Sequence, residues 1–292
     1  MRAQFLLLSV ALGFFGGSIA WYASKEFGTP FSLGDAFLAF LGILLLHIST
    51  NVLNDYYDYR SGIDLRTRRT PFSGGSGALP ENMIKPKQAL WLGIACLVAT
   101  IPIGVYYLIA RGWLLLPLLL VAAFCVVFYS PLILKRAWPE WSPGLGLGIL
   151  PIVGIYFAQT GEYFLPVIIA AIPAGILVHN LLLLNEFPDT EADASGGRKT
   201  MPISIGKNKA AVIYSILTIM VYLWIIGGVI AGQIPVFALI GLITIPLAVK
   251  AIRGALNHKD ISKLVPGMAN NVMVVLLTQV FMGVGYILAG AL

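Results

Sequence analysis

The chain has 292 residues, of which 58% are hydrophobic and 11% charged. A water-soluble domain carries roughly a quarter charged residues to cover its surface, so this composition excludes an ordinary soluble fold, and its hydrophobicity excludes disorder. The net charge of +6 is dispersed between apolar runs rather than gathered on one basic face, which excludes nucleic acid as a partner, and Cys96 and Cys125 stand singly in apolar runs, without disulfide-framework or zinc spacing.

Nine stretches are free of Asp, Glu, Lys and Arg: 3–22, 36–54, 88–110, 112–134, 141–161, 163–185, 210–232, 233–249 and 264–292. Each is long enough, or nearly so, to cross the ~30 Å hydrocarbon layer as a helix rising 1.5 Å per residue. They predict an all-α polytopic membrane protein with nine transmembrane helices in a bundle. The first stretch follows a single charge, Arg2, and reads as a membrane helix rather than a secretory leader. The third and fourth meet at Arg111 and Gly112 with almost no loop, and 233–249 is the shortest. Pro102, Pro117, Pro151, Pro173 and Pro246 fall inside spans, where neighbouring helices satisfy the carbonyls a proline frees. Gly144, Gly146 and Gly148 predict close helix packing in the fifth span.

Loop charge sets the orientation, because short loops rich in Lys and Arg stay in the cytoplasm. With the N-terminus inside, seventeen of the nineteen Lys and Arg are cytoplasmic and only Lys25 and Arg111 lie outside. This predicts an odd number of spans in a cell-membrane protein, N-terminus in and C-terminus out.

Most of the acids also fall on the cytoplasmic side, in two clusters. The first runs Asn54-Asp55-Tyr56-Tyr57-Asp58 to Asp64. If the second span continues helically past its apolar end, Asn54 and Asp58 share a face, with His47 and Asn51 deeper on it. The second cluster stacks Asn185, Asp189 and Asp193 at four-residue spacing at the end of the sixth span. Like-charged neighbours repel unless a cation sits among them, and oxygen ligands without His or Cys point to a hard divalent cation, magnesium above all. Magnesium pairs carboxylates with substrate phosphates, and each cluster is followed by basic residues: Arg68-Arg69-Thr70-Pro71 and Arg198-Lys199-Thr200-Met201-Pro202. The halves read as a diverged repeat within one domain, 1–292, with motifs at 54–71 and 185–202. A solvated rim is the plainer reading of either cluster alone; two matching clusters on one side favour a joint metal and phosphate site. Asp55, Glu186 and Glu191 point elsewhere on their helices and read as rim or as support behind the metal-holding residues, and His47 and His179 as buried, hydrogen-bonded histidines.

These residues carry a resemblance. Asn54-Asp55-x-x-Asp58 with Asp64, and Asn185-x3-Asp189-x3-Asp193 followed by Gly197-Arg198-Lys199-Thr200, resemble the two aspartate-rich motifs of the UbiA superfamily of intramembrane prenyltransferases. Five residues between Asp58 and Asp64, including Ser61-Gly62-Ile63, and Tyr129-Ser130-Pro131 leading to Lys135, are similar to the 1,4-dihydroxy-2-naphthoate branch of menaquinone synthesis. One departure is Pro188 before Asp189, where the family more often has a basic residue; a proline there is expected to disturb the helix.

The resemblance implies a helical bundle around a lipid-accessible central cavity that opens to the cytoplasm. It implies magnesium held by Asn54, Asp58, Asp64, Asn185, Asp189 and Asp193, and an isoprenyl diphosphate neutralised by Arg69, Lys135, Arg198 and Lys199. The expected reaction is prenyl transfer to an aromatic quinone precursor with release of diphosphate, Asp58, Asp189, Lys135 and Tyr129 acting as catalytic residues. Tyr56, Tyr57, Tyr129 and Tyr156 are candidates to face an allylic cation. A non-quinone acceptor is the alternative. A divalent-cation transporter is a remoter one, since it needs acids near the bilayer midplane rather than at helix ends.

Overall fold

A computed structural model describes residues 3–67 and 69–292, with Arg2 and Arg68 outside the described residues. Every element among those residues is helical. Eight helices are long and apolar enough to span a membrane: α1 (Leu7–Glu26), α2 (Leu33–Ser61), α3 (Pro86–Arg111), α5 (Trp141–Thr160), α6 (Leu165–Ser195), α7 (Lys207–Ile230), α8 (Val236–Leu256) and α9 (Ile261–Ala291). The stretch expected to span at 112–134 forms a shorter apolar helix, α4 (Trp113–Val127). It stops early because Pro131 disfavours helix at the residue before it and donates no N–H, so the chain turns through Tyr129–Leu134 instead.

Two helices extend well past their apolar parts, and these carry the acidic motifs. In α2, the Ser32 hydroxyl caps the start by accepting from the Asp35 N–H, and the helix runs on to Gly62, whose φ of 77° ends it in the left-handed conformation. In α6, Pro173 and Pro188 both lie inside one continuous helix of 31 residues. The disturbance expected at Pro188 therefore does not occur. The Thr190 hydroxyl donates to the Glu186 and Phe187 carbonyls, both at 3.0 Å, and reinforces the backbone around the missing N–H.

The central position belongs to α6, with 61% of its apolar window buried, against 17% for α3 at the periphery. Its closest neighbour is α5, which winds as a π-helix over Gly144–Ile149. A Cβ on Gly148 would lie 2.6 Å from the Gly175 Cα of α6 and 2.9 Å from the Ala174 carbonyl oxygen, and one on Gly146 would meet Cys125 of α4 at 3.0 Å. The glycines thus make the expected close contact, and the π-turn aims this segment at the cavity described below. Several buried polar groups in the bundle are paired across helices. Asn180 on α6 donates to the Tyr214 carbonyl and the Thr218 hydroxyl of α7, and the Tyr214 hydroxyl donates to Asn271 Oδ1 on α9. Side chains such as Ile109 and Leu223 point outward, where hydrocarbon rather than water is the natural neighbour.

Gly148→Ala should therefore overpack the α5–α6 contact, lowering stability by about 1–3 kcal/mol. Thermal unfolding in detergent micelles measures this. Gly154→Ala is the control on the same helix: its Cβ would meet nothing nearer than Leu118 Cδ2 at 3.7 Å, and it should melt like the parent.

Candidate active site

The prolonged ends of α2 and α6 converge on one cavity of about 240 Å³. His47, Asn51, Asn54 and Asp58 descend one face of α2 into its wall, and Val178, Asn185, Glu186, Asp189 and Asp193 do the same from α6. Tyr129 and Cys125 close a third side, and the deeper wall is apolar, with Leu8, Leu46, Leu147 and Leu181. The cavity is polar at one end and hydrocarbon-like at the other.

At the polar end, Arg198 joins the two motifs. Its Nη1 donates to Asp193 Oδ1 at 2.7 Å, its Nη2 pairs with Asp58 Oδ1, and its backbone N–H donates to the Asp193 carbonyl at 3.0 Å. Asp58 and Asp193 are buried, 6% and 1% exposed. Burial alone would lower the pKa of the guanidinium, but the Asp58 and Asp193 charges reverse this and hold it above its usual value.

The α2–α3 connection forms the lip of the cavity through Phe72, Ser73, Gly74, Gly75 and Ser76. The Thr70 hydroxyl accepts from the Phe72 and Ser73 N–H groups and makes the turn, after which the Gly74 N–H donates to Asp189 Oδ2 at 2.8 Å. Ser76 Oγ donates to Asp55 Oδ2 at 2.6 Å. Gly75, at φ 67°, passes so close to Asp64 that a Cβ would lie 2.5 Å from Oδ1. Asp64 is thereby buried at 5% exposure, and burial first, then the Asp58 and Asp55 charges, push its pKa up to about 7. A cation entering here competes with a proton.

The structure places the expected site residues in two groups. Asn54, Asp58, Asn185, Asp189, Asp193, Tyr129 and Arg198 line the cavity, with Asp64 behind Gly75. Arg69 instead pairs with Glu81, and Lys135 and Lys199 are exposed and outside the wall. Among the expected ring partners, Tyr129 lines the cavity. Tyr56 and Tyr57 pack edge to face on one another, and Tyr156 stacks on Phe164 in the helical core. His47 is buried, with Nδ1 2.7 Å from Ser9 Oγ, and His179 Nδ1 lies 3.2 Å from Asn180 Oδ1.

Of the two readings open for Glu186, the structure places it in the cavity wall rather than on the rim. It is 5% exposed, and its buried carboxylate oxygens accept from no N–H or hydroxyl group. Glu140, fully buried, lies within side-chain hydrogen-bonding reach of it, and its Oε1 accepts from the Met201 N–H at 2.5 Å. Helical spacing contained the signal for Glu186, which is three residues before Asp189 and seven before Asp193. The approach of Glu140 from a distant segment carries no such signal.

The donors at the polar end are carboxylate and amide oxygens, and the Asn185 Oδ1 is buried without a partner. Such a set fits a hard divalent cation. Residues 9–266 match the UbiA prenyltransferase family. The chain belongs to that family. It is 31% identical over 227 residues, 76% of this chain and 72% of the relative, to the 1,4-dihydroxy-2-naphthoate octaprenyltransferase of Bacillus subtilis. It is 25% identical over 296 residues, 98% of this chain and 94% of the relative, to the enzyme of the same name from Haemophilus influenzae. The UbiA homologue of Aeropyrum pernix shares its fold with a TM-score of 0.73 at 17% identity, over 99% of this chain and 98% of that one. An Archaeoglobus fulgidus homologue, solved with GPP and Mg2+ bound, does so at 0.57 and 16%, over 97% and 99%. The chain is thus an integral-membrane prenyltransferase of the UbiA fold.

For a UbiA enzyme with this lip, Gly75→Ala should displace Asp64 and reduce prenyl transfer about 100-fold, the scale set by misplacing a catalytic group by about an ångström. Gly62→Asn, at another left-handed position with open space around it, should retain turnover in the same assay.

Proposed function

We propose that this protein transfers an isoprenyl group from an isoprenyl diphosphate to an aromatic quinone precursor of the 1,4-dihydroxy-2-naphthoate type, releasing diphosphate. The convergence of the α2 and α6 motifs at the mouth of a single cavity with an apolar interior carries this reading. The names of the two octaprenyltransferase relatives support the acceptor class, and the GPP and Mg2+ held by the Archaeoglobus homologue support the donor and cofactor.

Asn54, Asp58, Asp64, Asn185, Asp189 and Asp193 are the residues that would hold magnesium. When bound, magnesium supplies positive charge against the diphosphate oxygens as the bond to the allylic carbon lengthens. Arg198, in the cavity wall, donates to the same oxygens, and Arg69, Lys135 and Lys199 add positive potential from the rim. Tyr129, immediately inside the mouth, presents an aromatic ring to the allylic cation. The apolar wall around Leu8, Leu46, Leu147 and Leu181 seats the prenyl tail and excludes water, which would otherwise capture that cation. The aromatic acceptor then bonds through carbon, losing carbon dioxide from a carboxylated position or a proton from an unsubstituted one. Loop charge supports a mouth on the cytoplasmic side of the membrane, and the matching pattern of the two motifs supports their acting as counterparts from the two halves of one domain.

The test is to incubate purified protein with magnesium, a series of isoprenyl diphosphates and candidate aromatic acceptors, and to identify the lipid products by mass. A prenylated naphthoquinol precursor is the expected product, and its absence across the series overturns the reading. Asp58→Ala and Asp189→Ala should each lower turnover by about 1000-fold, the upper range for removing one electrostatic partner of a transition state, while the protein still inserts into the membrane. Magnesium-dependent turnover retained in both variants removes the assignment of these residues.

A further inference from the structure

Two of the carboxylates assigned to the cation already share a positive group. The Arg198 guanidinium lies between Asp193, at 2.7 Å, and Asp58, one acid from each motif. Among the described residues, no three His, Cys, Asp or Glu side chains gather into a metal-holding cluster; at this point a guanidinium joins the acids instead. A divalent cation on Asp58 and Asp193 would compete with Arg198 for the same oxygens and repel it. Arg198 must then move, and a buried guanidinium without a counter-charge is strongly disfavoured.

Glu186 is suited to receive it. It lies on α6 on the face that carries Asp189 and Asp193, deeper in the cavity by about two turns from Asp193. It is nine-tenths buried, and its oxygens accept from no N–H or hydroxyl group, the Glu140 carboxyl being its hydrogen-bonding neighbour. Its carboxylate is near enough to Arg198 for the two charges to act on one another, and Glu140 adds negative charge on the same side. Two hydrogen-bonded buried acids still leave acceptor oxygens free for a cationic donor.

We propose that Arg198 has two seats, and that Glu186 is the positioning residue that provides the second. In the first seat Arg198 bridges Asp58 and Asp193 and holds the motif helices together. In the second it rests on Glu186, clear of the cation, with its remaining N–H groups directed at the diphosphate. Cation and diphosphate binding are thereby coupled: a cation alone moves Arg198 from two carboxylate partners to one, whereas the diphosphate gives the displaced guanidinium a second partner beside Glu186. The inference rests on the cation and diphosphate site proposed above.

The experiment uses the full chain in detergent and measures equilibrium binding of magnesium by calorimetry. It does so alone and with an unreactive thio-diphosphate analogue of the prenyl donor, in the parent, R198Q, E186Q, E186L and the R198Q/E186L double variant. R198Q should bind magnesium alone about tenfold more tightly and lose most of the tightening that the analogue confers, with couplings of this order expected for groups in direct contact. E186L should weaken magnesium binding in the presence of the analogue about tenfold, E186Q less, and E186L should add nothing in the R198Q background. Thermal melting confirms that each variant is folded, and E186Q keeps the side-chain shape should E186L fail to fold. Unchanged or weaker magnesium-alone binding in R198Q overturns the two-seat arrangement. An effect of Glu186 substitution that persists equally in the R198Q background makes Glu186 a packing residue and overturns its role. If the parent binds neither magnesium nor the analogue, the site reading itself fails and this inference falls with it.

Discussion

The need to neutralise buried acids at the ends of two membrane helices governs this structure. Asp58 and Asp193 are nearly inaccessible, and each would repel the other across the α2–α6 gap if no cation lay between them. Arg198 supplies that cation, and geometry follows from it. The guanidinium has a fixed planar fork, so the two carboxylates must approach it in defined directions, and the helices that carry them are drawn to a common point. The Gly74 N–H on Asp189 and the close passage of Gly75 over Asp64 complete the enclosure with backbone instead of side chain, which leaves the acids unobstructed toward the cavity.

The bilayer explains why the remaining irregularities are tolerated. Pro173 and Pro188 would each be expensive in a helix exposed to water, yet α6 is the most buried span and its neighbours and the Thr190 hydroxyl cover the backbone that the prolines disturb. The same crowding makes glycine necessary where α5 meets α6, because association of helices in lipid relies on close packing rather than on burial of apolar surface. The π-turn at Gly144–Ile149 lies beside that contact, so one local departure from α geometry serves both the fit to α6 and the shape of the cavity wall.

Much of this organisation was legible before any coordinates. Charge-free runs of about twenty residues locate the helices because hydrocarbon admits almost nothing else, and four-residue spacing brings Asn54 under Asp58 and Asn185 under Asp189 because a helix has 3.6 residues per turn. What was not legible depended on contacts between distant segments. Lys135 and Lys199 follow their motifs in sequence, yet their backbones pair with neighbouring loops, Lys199 N–H to the Leu134 carbonyl, and their side chains turn outward. Arg69 is adjacent to the first motif but finds Glu81. Tyr156 belongs to a span that reaches the cavity, but its own turn lies in the core against Phe164. Proximity along the chain identifies which charges are available, whereas tertiary packing decides which of them reach the substrate.

Glu186 shows where local and global information meet. Its helical register places it with Asp189 and Asp193, but register alone gives no reason to bury a further acid beside three others. The reason lies in the division of the cavity. In the proposed reaction charge separation is promoted at the mouth, beside the carboxylates and Arg198, while the carbon that becomes electron-poor lies deeper, among apolar side chains and the ring of Tyr129. A cationic side chain free to slide into the apolar region would disfavour a carbocation there by simple repulsion. An acid at the boundary, one turn below Asp189, offers such a side chain a resting place short of the apolar region. The boundary carboxylate therefore separates two environments that the reaction needs at the same moment, one that attracts a polyanion and one that accommodates a cation.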